Sequence, residues 1–103
     1  MIKESFHPEA EIEFIEAARY YESEAPGLGI TFINEIRKAV AVILINPQAF
    51  TPIGRRIRKK SLQRFPYNLL YFIDNDILLI LAVMHQKRRP NYWINRLESL
   101  PKH

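Results

Sequence analysis

The 103-residue chain contains no cysteine, which excludes disulfide staples, thiol nucleophiles and thiolate metal sites together and fits a reducing compartment. It has three glycines. Two of them, Gly27 and Gly29, stand close together, but no lysine follows, so the signal for a phosphate-cradling loop is negligible. Long apolar runs are missing too: the longest, Ile77 to Met84, is far too short to span a bilayer, and the opening MIKESFHPE lacks an apolar signal core. A cytoplasmic protein without membrane contact is expected. His7, His85 and His103 share no ligand spacing, and Ser61 has no nucleophile-elbow context. Neither a metal, nor another cofactor, nor acyl-transfer chemistry is therefore expected.

Acids are scarce in one half of the chain only. Residues 1–50 carry four Lys/Arg and eight Asp/Glu, a balance of −4, whereas residues 51–103 carry eleven and three, a balance of +8. Such asymmetry points to an acidic or polyanionic partner for the second half. With 48% apolar and 25% charged residues, the composition is that of one globular domain over 1–103.

The periodicity of the apolar residues changes midway. Ile2 to Phe6 reads as a short strand stopped by Pro8. From Glu9 to about Glu24, Ala10, Phe14, Ala17, Ala18 and Tyr21 recur at helical spacing among Glu9, Glu11, Glu13, Glu16 and Glu22. Paired carboxylates can serve as acid and base, but nothing in this pattern sets two of them in a cleft, so a solvated helix face is expected. Ala25-Pro26-Gly27 breaks the chain, and Leu28, Phe32, Ile36, Ala39, Val40 and Ile43 define a second helix that Asn46-Pro47 ends. Two helices so closely joined predict an antiparallel hairpin. A loop over Gln48 to Gly54 follows, and then a period nearer 2: RRIRKKSLQRF, YNLLYFI and ILLILAVMH, the last two joined by a turn at Asp74-Asn75-Asp76. Ile77 to Met84 is apolar on both faces and is expected to be the central strand. Asn91 to Leu100 is read as a short helix or tail after Pro90. The order β-α-α-β-β-β predicts an α+β domain in which a small, mostly antiparallel sheet carries the helical hairpin on one face.

Two basic clusters stand out. On a strand, Arg56, Arg58, Lys60 and Arg64 would share one face about 6–7 Å apart, a spacing suited to a phosphate backbone or to a charged edge strand that resists aggregation. The second cluster, His85, Lys87, Arg88 and Arg89, emerges where the central strand ends, close to where a neighbouring strand could deliver Arg64. Arginine suits phosphate, histidine moves protons near neutral pH, and Tyr92 or Trp93 can stack on a base or anchor the tail. Cations, a proton carrier and an aromatic ring are also the parts that RNA cleavage requires.

The succession of YYE, GLGITFINEI, a Pro47-bearing loop, IRKKSLQRFPYNLLYFI and ILAVMHQKRRPNYW resembles the RelE/ParE superfamily of bacterial type II toxins, from about Glu9 to Arg96. The resemblance implies a small basic toxin without cofactor, wrapped and neutralised by the extended tail of a cognate antitoxin. ParE-like members, the plasmid-stabilisation type, poison DNA gyrase without known nuclease chemistry, while RelE-like members cut mRNA on the ribosome. YYE, GLG and the arginine- and proline-bearing end of the last strand are nearer the ParE-like group. That reading makes Arg58, Lys60, Arg64, Lys87, Arg88 and Arg89 a target-binding surface and the chain no enzyme. On the RelE-like alternative, an mRNA interferase, Arg58, Lys60 and Arg64 would hold the phosphate while His85 or Tyr92 handles a proton, with the tyrosine displaced from the family spacing by Pro90. A third reading is a basic module that survives only as an antitoxin-binding partner.

Overall fold

A computed structural model describes residues 3–98. Strand β1 (Lys3–Phe6) gives way at once to helix α1 (Pro8–Glu24). Proline suits the first helical position, where no N–H is needed, and His7 caps the helix by accepting the Glu9 N–H on Nδ1 at 3.1 Å. The chain reverses at Gly27, whose φ of 85° favours glycine, and enters helix α2 (Leu28–Ile45). Glu22 accepts the N–H of Gly27 at 2.9 Å and of Gly29 at 3.0 Å. One carboxylate thereby satisfies donors that a helix start leaves open and puts negative charge at the positive end of its dipole. Gly29 is also where the helices touch, since a Cβ there would lie 2.6 Å from the Ala18 carbonyl oxygen. The YYE and GLG segments are thus two halves of one clamp.

Strands β2 (Thr51–Gly54), β3 (Ile57–Ser61), β4 (Tyr67–Asp74) and β5 (Ile77–His85) complete a five-stranded sheet of order β1-β5-β4-β3-β2. β1 runs parallel to β5, and the other neighbours are antiparallel. The expected α+β class and central strand are found, with three adjustments. The loop expected over 48–54 contains β2, an exposed edge strand that tolerates Pro52 because an edge N–H need not join the ladder. The strand expected over RRIRKKSLQRF shrinks to Ile57–Ser61, because Arg55 and Arg56 form the β2–β3 turn while Leu62 and Phe65 leave the sheet to enter the core. The helix expected after Pro90 is a 3-10 turn over Ile94–Leu97; Ile2 of the first strand and the end of that helix, 99–100, lie outside the described residues.

Both faces of the sheet are covered. Phe32, Ile36 and Ile43 from α2 meet Leu69, Tyr71, Leu78, Ile80 and Val83 of the sheet, with Tyr21, Phe65 and Tyr67 in contact around Phe32. On the other face Ile57, Leu70, Leu81 and Ala82 lie beneath Trp93, which is 5% exposed. The register passes from Leu70 opposite Ala82 to Tyr71 opposite Ile80, leaving Leu81 as a bulge. The bulge shifts the side-chain alternation by one residue, so Val83 and not Ala82 turns toward the helices.

Candidate functional site

β1 stops pairing at Phe6 opposite Ile80, so the outer edge of β5 is open beyond that point. An open strand edge leaves backbone groups without partners. Here side chains supply them: Glu13 of α1 accepts the Val83 N–H at 3.0 Å, and Arg96 of the C-terminal segment donates to the Leu81 carbonyl at 3.1 Å. Glu13 and Arg96 also join each other through two charge-assisted hydrogen bonds of 2.8 and 2.9 Å. The Tyr92 hydroxyl donates to the same carboxylate at 2.5 Å, and its ring is packed by the guanidinium groups of Arg88 and Arg96, 4.4 and 4.9 Å from the centroid. Burial, reinforced by the bond to Glu13, pushes the Tyr92 hydroxyl far above the usual tyrosine range.

His85 ends β5 opposite Tyr67, with its ring edge-on to that tyrosine at 5.1 Å. Its Nδ1 accepts the Lys87 N–H at 3.1 Å while its carbonyl accepts the Arg88 N–H, so the residue closes the turn leaving the strand. In the neutral ring that bond puts the proton on Nε2. Lys87, Arg88 and Arg89 follow on the exposed surface.

The other predicted cations do not form the expected row. Arg56 sits in a turn, and Arg58 donates to the carbonyls of Gln48 and Phe50 at 3.2 and 2.7 Å. Lys60 lies 4.6 Å from the centroid of the Phe50 ring, and Arg64 leans toward Glu35 of α2 at 3.9 Å, with 65% of its side chain exposed. Arg58 and Lys60 therefore hold the segment between α2 and β2, while Arg64 is directed to the helical face and not to His85. The physical reason is that β3 ends at Ser61, three residues before Arg64.

Glu13 and Arg96, which organise this end of the molecule, stand outside the predicted site. Along α1, Glu13 looks like any of its neighbouring acids; only the position of β5 singles it out. Between α1, β5 and the C-terminal segment lies a cleft of about 370 Å³ lined by Ile12, Tyr20, His85, Arg88, Tyr92 and Arg96 among others, with Glu9, Glu13 and Glu16 on its helical wall. Three carboxylates opposite three basic side chains make it a mixed groove, unlike a cation-lined phosphate site. Among the described residues, no three His, Asp or Glu side chains are grouped to hold a metal ion, and no helix is long and apolar enough to cross a membrane.

Comparison with known proteins places this architecture. Residues 5–90 match the family model described as the ParE toxin of type II toxin-antitoxin system, parDE. Toxin ParE2 of Mycobacterium tuberculosis, found alike in two strains, is 30% identical over 89 residues, covering 82% of each chain. A solved structure of the chromosomal ParDE TA system from P. aeruginosa superposes with a TM-score of 0.72 at 17% identity, over 82% of this chain and 96% of the other, a likeness of fold. With the family model spanning most of the chain, this protein belongs to the ParE toxin family of type II toxin-antitoxin systems.

Proposed function

We propose that this toxin acts in the cytoplasm, is neutralised by a cognate antitoxin, and has DNA gyrase and not ribosome-bound mRNA as its target. The observation that carries the choice of target is the condition of Tyr92. A general acid or base works best with a pKa near the ambient pH, whereas burial and the bond to Glu13 drive this hydroxyl far from it. The cation next to it, Arg96, is already neutralised by Glu13, and Arg64 is directed to Glu35. Outward at that end of the molecule stand Lys87, Arg88 and Arg89, beyond the end of β5, as a grip.

Purified toxin is expected to inhibit supercoiling by gyrase and to trap cleaved DNA at micromolar concentration. Unaffected gyrase, with new 5′ ends in toe-prints of translating ribosomes, would reverse the choice. Replacing His85 with alanine should leave toxicity intact, while Arg88→Ala with Arg89→Ala should abolish it; the opposite pattern on plates would make His85 a catalyst.

The antitoxin contact is supported by apolar side chains left outward on the hairpin: Ile12, Ile15 and Tyr20 on α1, and Ile30, Val42 and Ile45 on α2. These suit the apolar face of an amphipathic partner segment, and the basic second half of the chain suits acids along it. Affinity for the antitoxin should fall with ionic strength, because salt screens exposed charges first. A flat titration would leave the contact to apolar burial alone.

A further inference from the structure

The β2–β3 hairpin has a two-residue turn, Arg55-Arg56, between the paired residues Gly54 and Ile57. Both arginines are in the left-handed region, with φ of 54° and 65°. Such tight hairpin turns strongly favour Asn-Gly, Asp-Gly or Gly-Gly, because a Cβ is strained at positive φ. Here the two strained positions carry two of the largest side chains, and both are exposed. Local bonding accounts for only part of this: Arg56 donates one hydrogen bond to the Ile73 carbonyl at 3.2 Å, whereas Arg55 has no hydrogen-bond or ion-pair partner among the described residues.

Beside the tip lies a cavity of about 290 Å³ whose lining, among the described residues, includes Arg56 and Arg58 but no acid. Asp74, next to Ile73 in the chain, is not part of that lining. A guanidinium has five N–H donors, so these bonds to backbone carbonyls leave most of the two forks available. Strain at an exposed pair of cations beside an acid-free basic cavity points to a ligand that repays it.

We propose that the Arg55-Arg56 tip, with Arg58 behind it, is a contact site for the phosphate backbone of duplex DNA. Arginine forks match phosphate oxygens, and the +8 balance of the second half of the chain adds long-range attraction. Duplex is favoured over single strand because, among the described residues, no aromatic ring beside the tip is exposed enough to serve as a stacking platform. Tyr71 is buried with its hydroxyl on the Pro47 carbonyl, Phe50 lies under Lys60, and Phe72, which lines the cavity with Tyr71, is half-buried against the second-face cluster. The site is separate from the cleft at the end of β5, and its test contains no gyrase, so it stands or falls apart from the choice of target.

The test is fluorescence anisotropy of the full chain with a short labelled duplex, titrated against salt. Replacing the tip by the pair the turn prefers, Arg55→Asn with Arg56→Gly, should weaken binding about tenfold and reduce the salt slope by about two, alike for unrelated sequences. The same variant should melt no lower than the parent, since it relieves strain. Arg55→Lys with Arg56→Lys should retain the salt slope. Unchanged affinity in the Asn-Gly variant overturns the proposal, as does a loss of binding accompanied by a lower melting temperature. Competition assigns the ligand. Displacement by inorganic phosphate beyond the effect of matched chloride means a single-phosphate site, equal competition by polyglutamate means an acidic protein partner, and tighter binding of single strands means a different nucleic acid. Each of these outcomes rejects duplex DNA, and preference for duplex over all three sustains it.

Discussion

Arginines in the basic half of this toxin look alike as sequence and behave as opposites in the fold. In the C-terminal segment, Arg96 is 8% exposed and bound to Glu13, Leu81 and the ring of Tyr92. In the β2–β3 hairpin and the segment after it, Arg55, Arg56 and Arg64 are exposed, and among the described residues the only acid paired with them is Glu35, at 3.9 Å from Arg64. Charge content is therefore a poor guide to role: a cation near an open strand edge becomes part of the architecture, and one on a hairpin tip is left for a partner. Mutations can separate the two regions by size of effect.

The largest effect is expected from Glu13→Ala, which strips a partner from Arg96, from the Tyr92 hydroxyl and from the Val83 N–H together. Removing one member of a buried ion pair costs about 3 kcal/mol or more, because the other charge stays buried. For a domain of this size that lowers Tm by more than about 10 °C. Glu13→Gln, which keeps an acceptor oxygen but no charge, should lose visibly less in the same urea and thermal denaturation. Equal losses would mean that shape and not charge holds the C-terminal segment.

Gly29→Ala comes next. The new Cβ would meet the Ala18 carbonyl at 2.6 Å, backbone against backbone, and forcing the helices apart costs about 2 kcal/mol. Gly27→Ala meets nothing within 4 Å and suffers only from its positive φ, about 1 kcal/mol. Chemical denaturation of the pair would show whether close approach or conformation dominates the clamp; a larger loss at Gly27 would reverse that order.

Much of this architecture is legible in the residue pattern. The change of period from 3.6 to 2 near residue 50 separates hairpin from sheet, and the unbroken apolar run from Ile77 identifies a strand covered on both faces. β2 is hidden because Thr-Pro-Ile-Gly has the composition of a loop, and only pairing with β3 makes it a strand. The bulge at Leu81 is invisible for the opposite reason, since an all-apolar run has no alternation to interrupt. At the site, His85, Arg88 and Tyr92 are found at the end of β5 as expected, but the bond from Arg96 to Glu13 spans 83 positions and no local pattern records it.

A smaller effect concerns pH. Burial, with Arg96 adding to it, holds the His7 imidazole below its usual value of 6.5, against the opposing pull of Glu9 and Glu13. The folded state thus binds this proton less readily than the unfolded state. Stability contributed by neutral His7 is complete above the unfolded value and declines as pH falls from about 6.5 toward the depressed folded value. His7→Asn keeps an efficient N-cap and removes the titration, so its urea midpoint should lose that part of the acid slope. An identical slope in both proteins would assign the acid sensitivity to the carboxylates instead.

Arg64→Ala should do least to the fold and is the sharpest counterpart to Glu13→Ala. An ion pair at 3.9 Å with a mostly exposed arginine contributes within about 0.5 kcal/mol, since water screens it and side-chain entropy opposes it. The urea midpoint should therefore be unchanged, while inhibition of gyrase weakens if Arg64 belongs to the target-binding surface. A clear loss of stability instead would mean that the pair with Glu35 fastens the β3–β4 connection to α2, and Arg64 would then share the architectural role of Arg96.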